Sequence, residues 1–304
     1  MKGLIIKEVT ELPYFTNGTI FNSPEFQSIK ANPKRFFVLF VDGKLACRVI
    51  YYIENNQALS GHQASFGAVD FETELTVDRL KYFLVEVHQL LSDSAIASVG
   101  YRLPATIYPQ AHLVLEVLTE LGFKVVVAET NQHLVIREEK FSQIIRNNER
   151  KKLNQSSAAN YMYKKLEFSE LDAVYTLVSE TRSRRGFPVT MSLTELRASF
   201  NVMPDQYVLF GLFDEETLIA ASVSIMVTND ILYNFYHADK VEYRRRSPLV
   251  MLLDNIYQYC QLNKIKVLDL GISTNQGKLN EGLYKFKENL GCIDSKKLTV
   301  KGDI

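Results

Sequence analysis

Two stretches with the same pattern decide the fold: RFFVLFVDGKLACRVIYYIENN (Arg35–Asn56) and QYVLFGLFDEETLIAASVSIMVTND (Gln206–Asp230). Each is typical of a hairpin of two apolar strands. A tight Asp-Gly turn joins the first pair, and a slightly longer turn that opens at Asp214 joins the second. The tetrapeptides FVLF and YVLF begin 170 residues apart (207 − 37). This repeated pattern predicts that one structural unit occurs twice in the chain.

Later landmarks keep nearly the same spacing. Two short apolar strands end at Gly100 and Gly271, which are 171 residues apart, and two Leu-Gly pairs end at Gly122 and Gly291, 169 apart. We expect two tandem α/β (α+β) units, each running helix, antiparallel hairpin, strand, helix, strand, helix, strand. Each would form a mixed, largely antiparallel sheet flanked by helices. Two unrelated α/β domains with an accidental likeness are the alternative.

The predicted domains are residues 1–139 and 161–304. The polar segment between them, 140–160, has a helical pattern and is the expected connector.

The composition restricts the possible functions. Of 304 residues, 46% are hydrophobic, 23% are charged, and 35 basic residues balance 35 acidic ones. A net charge of zero gives no overall drive toward nucleic acid or anionic membranes, so DNA is not an expected partner. Three scattered cysteines fit a reducing compartment. The first apolar run is shorter than a signal peptide needs and no stretch is long enough to span a bilayer, so we expect a cytoplasmic protein. The five histidines lack metal-ligand spacing, so no metal site is expected.

A basic loop precedes a helix in the second half. Leu249, Leu252, Leu253, Ile256 and Cys260 have the spacing of one buried helical face. Upstream of that face, Ser247 suits an N-cap and Pro248 suits the first turn. A run of three arginines therefore lies at the positive end of a helix, where a phosphate would be stabilised. The candidate phosphate-binding residues are Arg244, Arg245, Arg246 and Ser247. An exposed basic turn without a ligand is the alternative.

Two further basic clusters occur, one in the connector (Arg146, Arg150, Lys151 and Lys152) and one in TRSRRGF (Arg182, Arg184 and Arg185). Each alone is typical of a solvated face. Together they could line a groove for a polyanion.

The stretch LDLGISTNQGKLNEGLYKFKENLGC, residues 268–292, is not a phosphate-binding P-loop. Its glycines enclose five residues where a P-loop has four, and Lys278 is followed by Leu279 rather than Ser or Thr. In the helix that follows, Lys285 should be solvated. Lys287 falls at the border of the buried face, so it either reaches out to solvent or lies in a cleft, and the geometry favours the first.

The segments FNSPEF, RNNERKKL, RRRSPLVMLLDNIYQYC, LDLGIS and GLYKFKENLG carry a resemblance. The order of elements resembles the GNAT acyltransferase fold, and two copies in one chain are similar to the FemABX family of aminoacyltransferases. Members transfer aminoacyl groups from aminoacyl-tRNA to peptidoglycan precursors. The resemblance implies that Lys287 contacts a substrate phosphate or stabilises the reacting acyl group. It also implies that no cofactor is bound, and that the acyl donor is aminoacyl-tRNA or acyl-CoA.

Two departures from the family bear on the donor. Ser247 and Leu249 replace the glycines of the loop that binds the pyrophosphate of acyl-CoA, and the long helical insertion that contacts tRNA in some members is missing.

An amine that attacks an ester or thioester needs alignment and an oxyanion donor. We assign Lys287 to the oxyanion or a phosphate, Tyr284 as a possible general acid and His237 as a possible base. Packed or structural roles for Tyr284 and His237 are the alternatives. Ser273, Thr274 and Asn275 would line the cleft for substrate.

The sequence thus predicts an N-acyltransferase with its site in the second unit. It would transfer an acyl or aminoacyl group to an amine of a phosphate-bearing cell-envelope precursor, a small-molecule or muropeptide-type acceptor. Charged tRNA is a possible partner, and membrane insertion is not expected. The first alternative is a non-catalytic binding protein that keeps the tandem fold. A nucleic-acid binder that uses the basic connector is a third.

Overall fold

The computed structural model describes residues 3–16, 18–67 and 69–304, and these cluster into two compact units. Unit 1 takes the described residues of Met1–Asn131 together with Thr274–Lys278 and Ser295–Ile304. Unit 2 takes Gln132–Ser273 and Leu279–Asp294. The end of the chain therefore belongs to the unit that the beginning of the chain forms.

The first part of the chain supplies most of unit 1. The strands of this first part of the chain are β1 (Leu4–Val9), β2 (Lys34–Val41), β3 (Lys44–Glu54), β4 (Gln57–Ser60), β5 (Asp70–Phe71), β6 (Ser98–Ala105) and β7 (Lys124–Val135). Its helices are α1 (Pro24–Ser28), α2 (Val77–Ser92) and α3 (Gln110–Glu120). Asp42 and Gly43 join β2 to β3 with φ values of 49° and 80°, as the predicted tight turn requires.

Unit 1 has its own core and a buried ion pair. Leu80, Phe83 and Leu84 of α2 pack on the apolar faces of β2, β3 and β6. Arg48, which is 1% exposed, lies 2.9 Å from the carboxylate of Asp70, which is fully buried. Such a pair is strongly destabilising to break, because the remaining charge stays buried.

The rest of the chain forms further helices and strands. The helices are α4 (Phe141–Ile144), α5 (Asn147–Ser157), α6 (Leu171–Arg184), α7 (Leu193–Val202), α8 (Pro248–Leu262) and α9 (Glu281–Asn289). The strands are β8 (Met162–Leu166), β9 (Tyr207–Asp214), β10 (Thr217–Thr228), β11 (Ile231–Asp239), β12 (Val267–Ile272), β13 (Thr274–Asn275), β14 (Lys278–Leu279) and β15 (Ile293–Asp303). In unit 2 the predicted face of α8 is buried against β9 and β10.

The two units share one strand order. In unit 1, β1, β2, β3 and β4 are antiparallel neighbours and β6 is parallel to β4. In unit 2, β8, β9, β10 and β11 are antiparallel neighbours and β12 is parallel to β11. The mixed, largely antiparallel sheet with flanking helices confirms the predicted fold class. The internal sequence repeat itself stays a prediction.

The last strands of the two halves are placed unexpectedly. β15, which follows α9 in the chain, is antiparallel to β6 in unit 1, with Lys301 opposite Gly100. β7 follows α3, and its last residues, from Gln132 onward, belong to unit 2, where β7 is the neighbour of β12. Pairing over such sequence distances cannot be read from local patterns.

Helices α4 and α5 lie within the segment 140–160, and two arginines of this segment have structural partners in unit 2. The Arg150 guanidinium donates to the carbonyls of Ser142 (2.6 Å) and Ile145 (3.1 Å), and so holds the turn between α4 and α5. Arg146 pairs with Glu288 at 2.8 Å.

Candidate functional site

In unit 2 the parallel strands β11 and β12 pair only over their first residues. The pairs are Ile231–Val267, Leu232–Leu268 and Tyr233–Asp269, although β11 runs on to Asp239 and β12 to Ile272. The equivalent strands of unit 1 are paired from Gln57–Ser98 to Ser60–Tyr101. Strand ends that stop pairing leave backbone donors and acceptors for another partner. The carboxyl ends of β11 and β12, which we call the strand opening, therefore do not pair with each other, whereas β4 of unit 1 pairs with β6 over its whole length.

A β-bulge changes which side chains of β11 share a face. Val223 lies opposite Tyr236 and Ser224 lies opposite Asn234, so Phe235 has no opposite residue on β10. An extra residue of this kind shifts the alternation of side chains by one. Asn234 and His237, three residues apart, consequently lie on the same face.

That face is polar and buried. Ser222, which lies opposite His237, donates to the Oδ1 atom of Asn234 at 2.7 Å and lies 3.1 Å from the hydroxyl of Ser224. These three residues are at most 2% exposed, and the Nδ2 atom of Asn234 is buried without a hydrogen-bond partner. A buried donor without a partner is uncommon and is often found at functional sites.

Lys287 is buried, with an exposed fraction of 1%, so the expectation that it reaches out to solvent is wrong. Helix α9 begins at the N-cap Asn280, and the Nζ atom of Lys287 donates to the carbonyls of Gly271 (2.8 Å) and Ile272 (3.0 Å). These acceptors at the end of β12 replace the water that Lys287 would otherwise reach. Burial lowers the pKa of Lys287 to about 8, and nearby Cys292 and Asp269 partly oppose this fall. Lys285 on the same helix is exposed, as predicted.

Gly271 gives the strand end its shape. Its φ of +73° is a left-handed conformation, and its N–H donates to Asp269 Oδ1 at 2.9 Å. A Cβ atom at Gly271 would lie 3.3 Å from the Tyr233 ring. The carbonyl orientation that holds Lys287 thus depends on a backbone position that favours glycine.

His237 lies near this lysine. Its Nδ1 atom is buried without a hydrogen-bond partner, although the residue as a whole is partly exposed. Burial, followed by the charges of Lys287, Arg185 and Arg182, lowers the pKa of His237 to about 3. His237 is therefore neutral at physiological pH.

The arginines of the basic loop and of TRSRRGF converge on one carboxylate. Arg244 lies 3.1 Å from Asp239 and Arg185 lies 3.6 Å from it, while Arg184 donates to the Asp239 backbone carbonyl at 3.4 Å. The sequence could not show this convergence. Arg245 is exposed beside it.

Ser247 is the residue before α8, but its side chain does not cap the helix. Its backbone is left-handed (φ 48°), and its hydroxyl donates back to the Arg244 carbonyl at 3.4 Å. The expectation of a side-chain cap is wrong, because this conformation turns the hydroxyl away from the first helical turn. Arg246, like Arg245, is exposed.

The remaining predicted site residues lie in both units. In unit 2, the Tyr284 hydroxyl donates to Asp294 at 2.9 Å, and this contact raises the pKa of Tyr284. The Ser273 hydroxyl, also in unit 2, donates to Gln132 at 2.6 Å. Thr274 and Asn275 belong to unit 1, where the Thr274 hydroxyl is buried without a partner and Asn275 is exposed.

Prediction from sequence missed Ser222, Ser224, Asn234 and Asp239. The sequence did contain a signal for the two serines. They alternate with apolar residues in β10, and a strand that only packs apolar side chains has no need of hydroxyl groups. The bulge that brings Asn234 beside them has no sequence signature.

Within the described ranges, no group of three or more His, Cys, Asp or Glu side chains could hold a metal ion. In the same part of the chain, no helix combines the length and the apolar character needed to cross a membrane.

Comparisons with known proteins agree with this geometry. Residues 140–288 match the model of the Acetyltransferase (GNAT) domain family. A search of curated protein sequences gave no significant match.

Three solved structures resemble the chain. FemX is 12% identical, with a TM-score of 0.74 over 95% of this chain and 93% of its own. L-PGS from Bacillus licheniformis is 12% identical, with a TM-score of 0.62 over 88% of this chain and 83% of its own. A tandem GNAT protein from the clavulanic acid biosynthesis pathway is 10% identical, with a TM-score of 0.56 over 99% and 98%.

The resemblance predicted from sequence is therefore confirmed, and with it the class of enzyme, an acyltransferase. The chain has the GNAT acyltransferase fold and resembles FemX over nearly its whole length.

Proposed function

We propose that the protein is an N-acyltransferase whose site lies in unit 2, at the opened ends of β11 and β12. One observation carries the proposal: Lys287 is buried and fixed by two strand-end carbonyls at that opening. An ammonium group has three hydrogens. Two of them donate to Gly271 and Ile272, so one is left for a substrate oxygen.

The arrangement suits attack of an amine on an ester or thioester carbonyl. A positioned cation that faces the developing oxyanion can lower the barrier by about 3 kcal/mol. With a pKa of about 8, Lys287 is mainly protonated at neutral pH and can supply that charge. Tyr284 is protonated at neutral pH, and its contact with Asp294 raises its pKa further. We assign Tyr284 as the general acid, whose hydroxyl turns from Asp294 to the leaving group in the reaction.

The absence of an equivalent lysine in unit 1 supports a single site. The Leu-Gly pairs align Leu290 with Leu121, and the same offset of 169 aligns Lys287 with Leu118 (287 − 169). Leu118 is a fully buried core residue. In addition, the Gly67 N–H donates to the Arg102 carbonyl at 2.7 Å, so a loop covers the edge of β6 beyond its pairing with β4.

A phosphate on the substrate would bind the arginine cluster. Asp239 partly neutralises Arg244, so exposed Arg245 and Arg246 are the cations available to a ligand. Ser247 would contact the same phosphate, and Ser273 stays a proposed substrate contact in unit 2. Thr274 and Asn275 belong to unit 1 and are not part of this proposed site. The acceptor, an amine of a cell-envelope precursor, is proposed from the likeness to FemX. The site of action is proposed to be the cytoplasm.

One feature favours the alternative of a non-catalytic binding protein. At the start of α8 the Ser247 N–H donates to the Arg244 carbonyl, Pro248 has no N–H, and the Val250 N–H donates to the Ser247 carbonyl. Only the Leu249 amide remains in this turn for a pyrophosphate. This count also favours a donor other than acyl-CoA.

The test is transfer with defined donors. Purified protein is incubated with acetyl-CoA or with aminoacyl-tRNA, and with a UDP-linked muropeptide as the amine, and products are identified by mass spectrometry. We expect an acylated muropeptide with at least one donor. If both donors and the muropeptide bind but nothing is transferred, the non-catalytic alternative is correct.

A matched pair of variants locates the activity. Lys287→Met removes the buried cation at similar volume, whereas Lys285→Met removes an exposed cation two residues earlier on the same helix. Only Lys287→Met should lower transfer, by about 100-fold or more. If Lys287→Met is as active as Lys285→Met, Lys287 is not part of the active site.

A further inference from the structure

The surroundings of His237 determine which of its ring nitrogens carries the proton. Across the sheet its neighbour is Ser222. Lys287 acts on it from α9, and Arg182 and Arg185 act on it from the end of α6. On its own strand, the Asp239 carboxylate is engaged by two arginines.

Nδ1 has no acceptor for a proton. It is buried without a hydrogen-bond partner. The hydroxyl of Ser222, the neighbour across the sheet, makes its contacts with Asn234 and Ser224 and none with Nδ1. A buried backbone N–H without an acceptor is somewhat rarer in proteins than a carbonyl without a donor, and we apply the same order to the ring nitrogen. In addition, a lone pair is the form that nearby cations favour.

We infer that His237 is held as the neutral tautomer with its proton on Nε2, and that it acts in the proposed reaction as a hydrogen-bond donor to a substrate oxygen. It is therefore not the base that its residue type first suggests. The part of the inference that concerns a substrate oxygen rests on the proposed function. The part that concerns the tautomer rests only on the surroundings of Nδ1.

This role fits the location of the ring. Nδ1 is buried while the residue as a whole is partly exposed, so a substrate oxygen would have to meet the ring at Nε2. A neutral imidazole can polarise a carbonyl without the cost of placing a further cation beside Lys287. The low pKa of His237, about 3, is consistent with a ring that stays neutral throughout the physiological range.

In this reaction His237 neither accepts nor gives up a proton. The acceptor nitrogen forms a bond to the acyl carbon, and the bond from that carbon to the donor oxygen or sulfur breaks. The proton lost by the amine goes to water, and the leaving group takes a proton from Tyr284, which water restores. The Nε2 proton of His237 is shared with the reacting oxygen and stays on the ring.

The first test does not need a substrate. Protein labelled with ¹⁵N at histidine is examined by long-range ¹⁵N–¹H correlation NMR, and the His237 signals are assigned from their loss in His237→Gln. We expect a protonated-type shift for Nε2 and an unprotonated-type shift for Nδ1, both unchanged from pH 5 to pH 8. The opposite pattern, or titration within that range, would overturn the inference even if the protein is an acyltransferase.

The second test compares three variants in the transfer assay. Glutamine places an amide N–H near the position of Nε2, asparagine places one near Nδ1, and alanine supplies neither. We expect His237→Gln to retain activity within about 10-fold of wild type, and His237→Asn and His237→Ala to lose about 100-fold or more. If His237 is a base, glutamine fails as alanine does. If the protein transfers no acyl group, the NMR result still decides the tautomer.

Discussion

Replacing Lys287 by methionine should make the protein more stable at neutral pH. The pKa of Lys287 falls from 10.5 to about 8 in the folded protein because the ammonium group is buried. At 1.36 kcal/mol for each pH unit, holding the charge at pH 7 costs the folded state about 3 kcal/mol. Methionine removes this cost but leaves two carbonyls without their donor, at about 1 kcal/mol each. We therefore expect a net gain of about 1 kcal/mol.

The sign of the pH dependence gives a sharper test. Above pH 8 the unfolded chain binds a proton at Lys287 that the folded protein has released, so wild-type stability rises with pH. Between pH 7 and pH 9.5 the wild type should gain about 2 kcal/mol relative to Lys287→Met. Urea unfolding at both pH values measures the difference.

Lys285→Met is the control, because its ammonium lies in solvent beside Glu288. Its stability relative to wild type should be the same at both pH values. If the difference between wild type and Lys287→Met is also independent of pH, Lys287 is not an uncompensated buried cation, and the reasoning fails.

Three further predictions concern single residues. Gly271→Ala should destabilise the protein by about 1–2 kcal/mol in thermal melts, because it strains a left-handed backbone against the Tyr233 ring. The control, Gly282→Ala in the open first turn of α9, should be neutral or stabilising. Equal losses of stability in the two variants would contradict this prediction. Arg48→Met should cost about 3–5 kcal/mol in urea unfolding because it leaves its carboxylate partner buried and unpaired, and a loss below about 1 kcal/mol would contradict the burial of this pair. Arg245→Ala should raise the KM for a phosphate-bearing acceptor by about 10-fold with little change in kcat, whereas an unchanged KM would remove this arginine from the proposed phosphate site.

Local patterns were sufficient for much of the fold. Apolar runs on either side of a turn predicted both hairpins, and helical spacing predicted the buried face of α8, because these features depend on near neighbours in the chain. β8 was missed because MYKKL is too polar to be typical of a strand. The place of β15 beside β6 depends on pairing across about 200 residues, which leaves no local trace.

The site was predicted less completely for a related reason. Helical angles placed Lys287 at a border but could not give its depth, because its partners are carbonyls of another element. The convergence of arginines on Asp239 joins α6 to the loop before α8, about 60 residues on. The left-handed conformation of Ser247 likewise overrides its preference for capping.

The most direct test of the central claim is single-turnover acyl transfer by wild type, Lys287→Met and Lys285→Met, with the donor that the product screen identifies. If the buried cation at the opened strands stabilises the oxyanion, Lys287→Met should lower the rate of the chemical step by about 100-fold or more, while Lys285→Met matches wild type. An unchanged rate in a folded Lys287→Met protein would contradict the account.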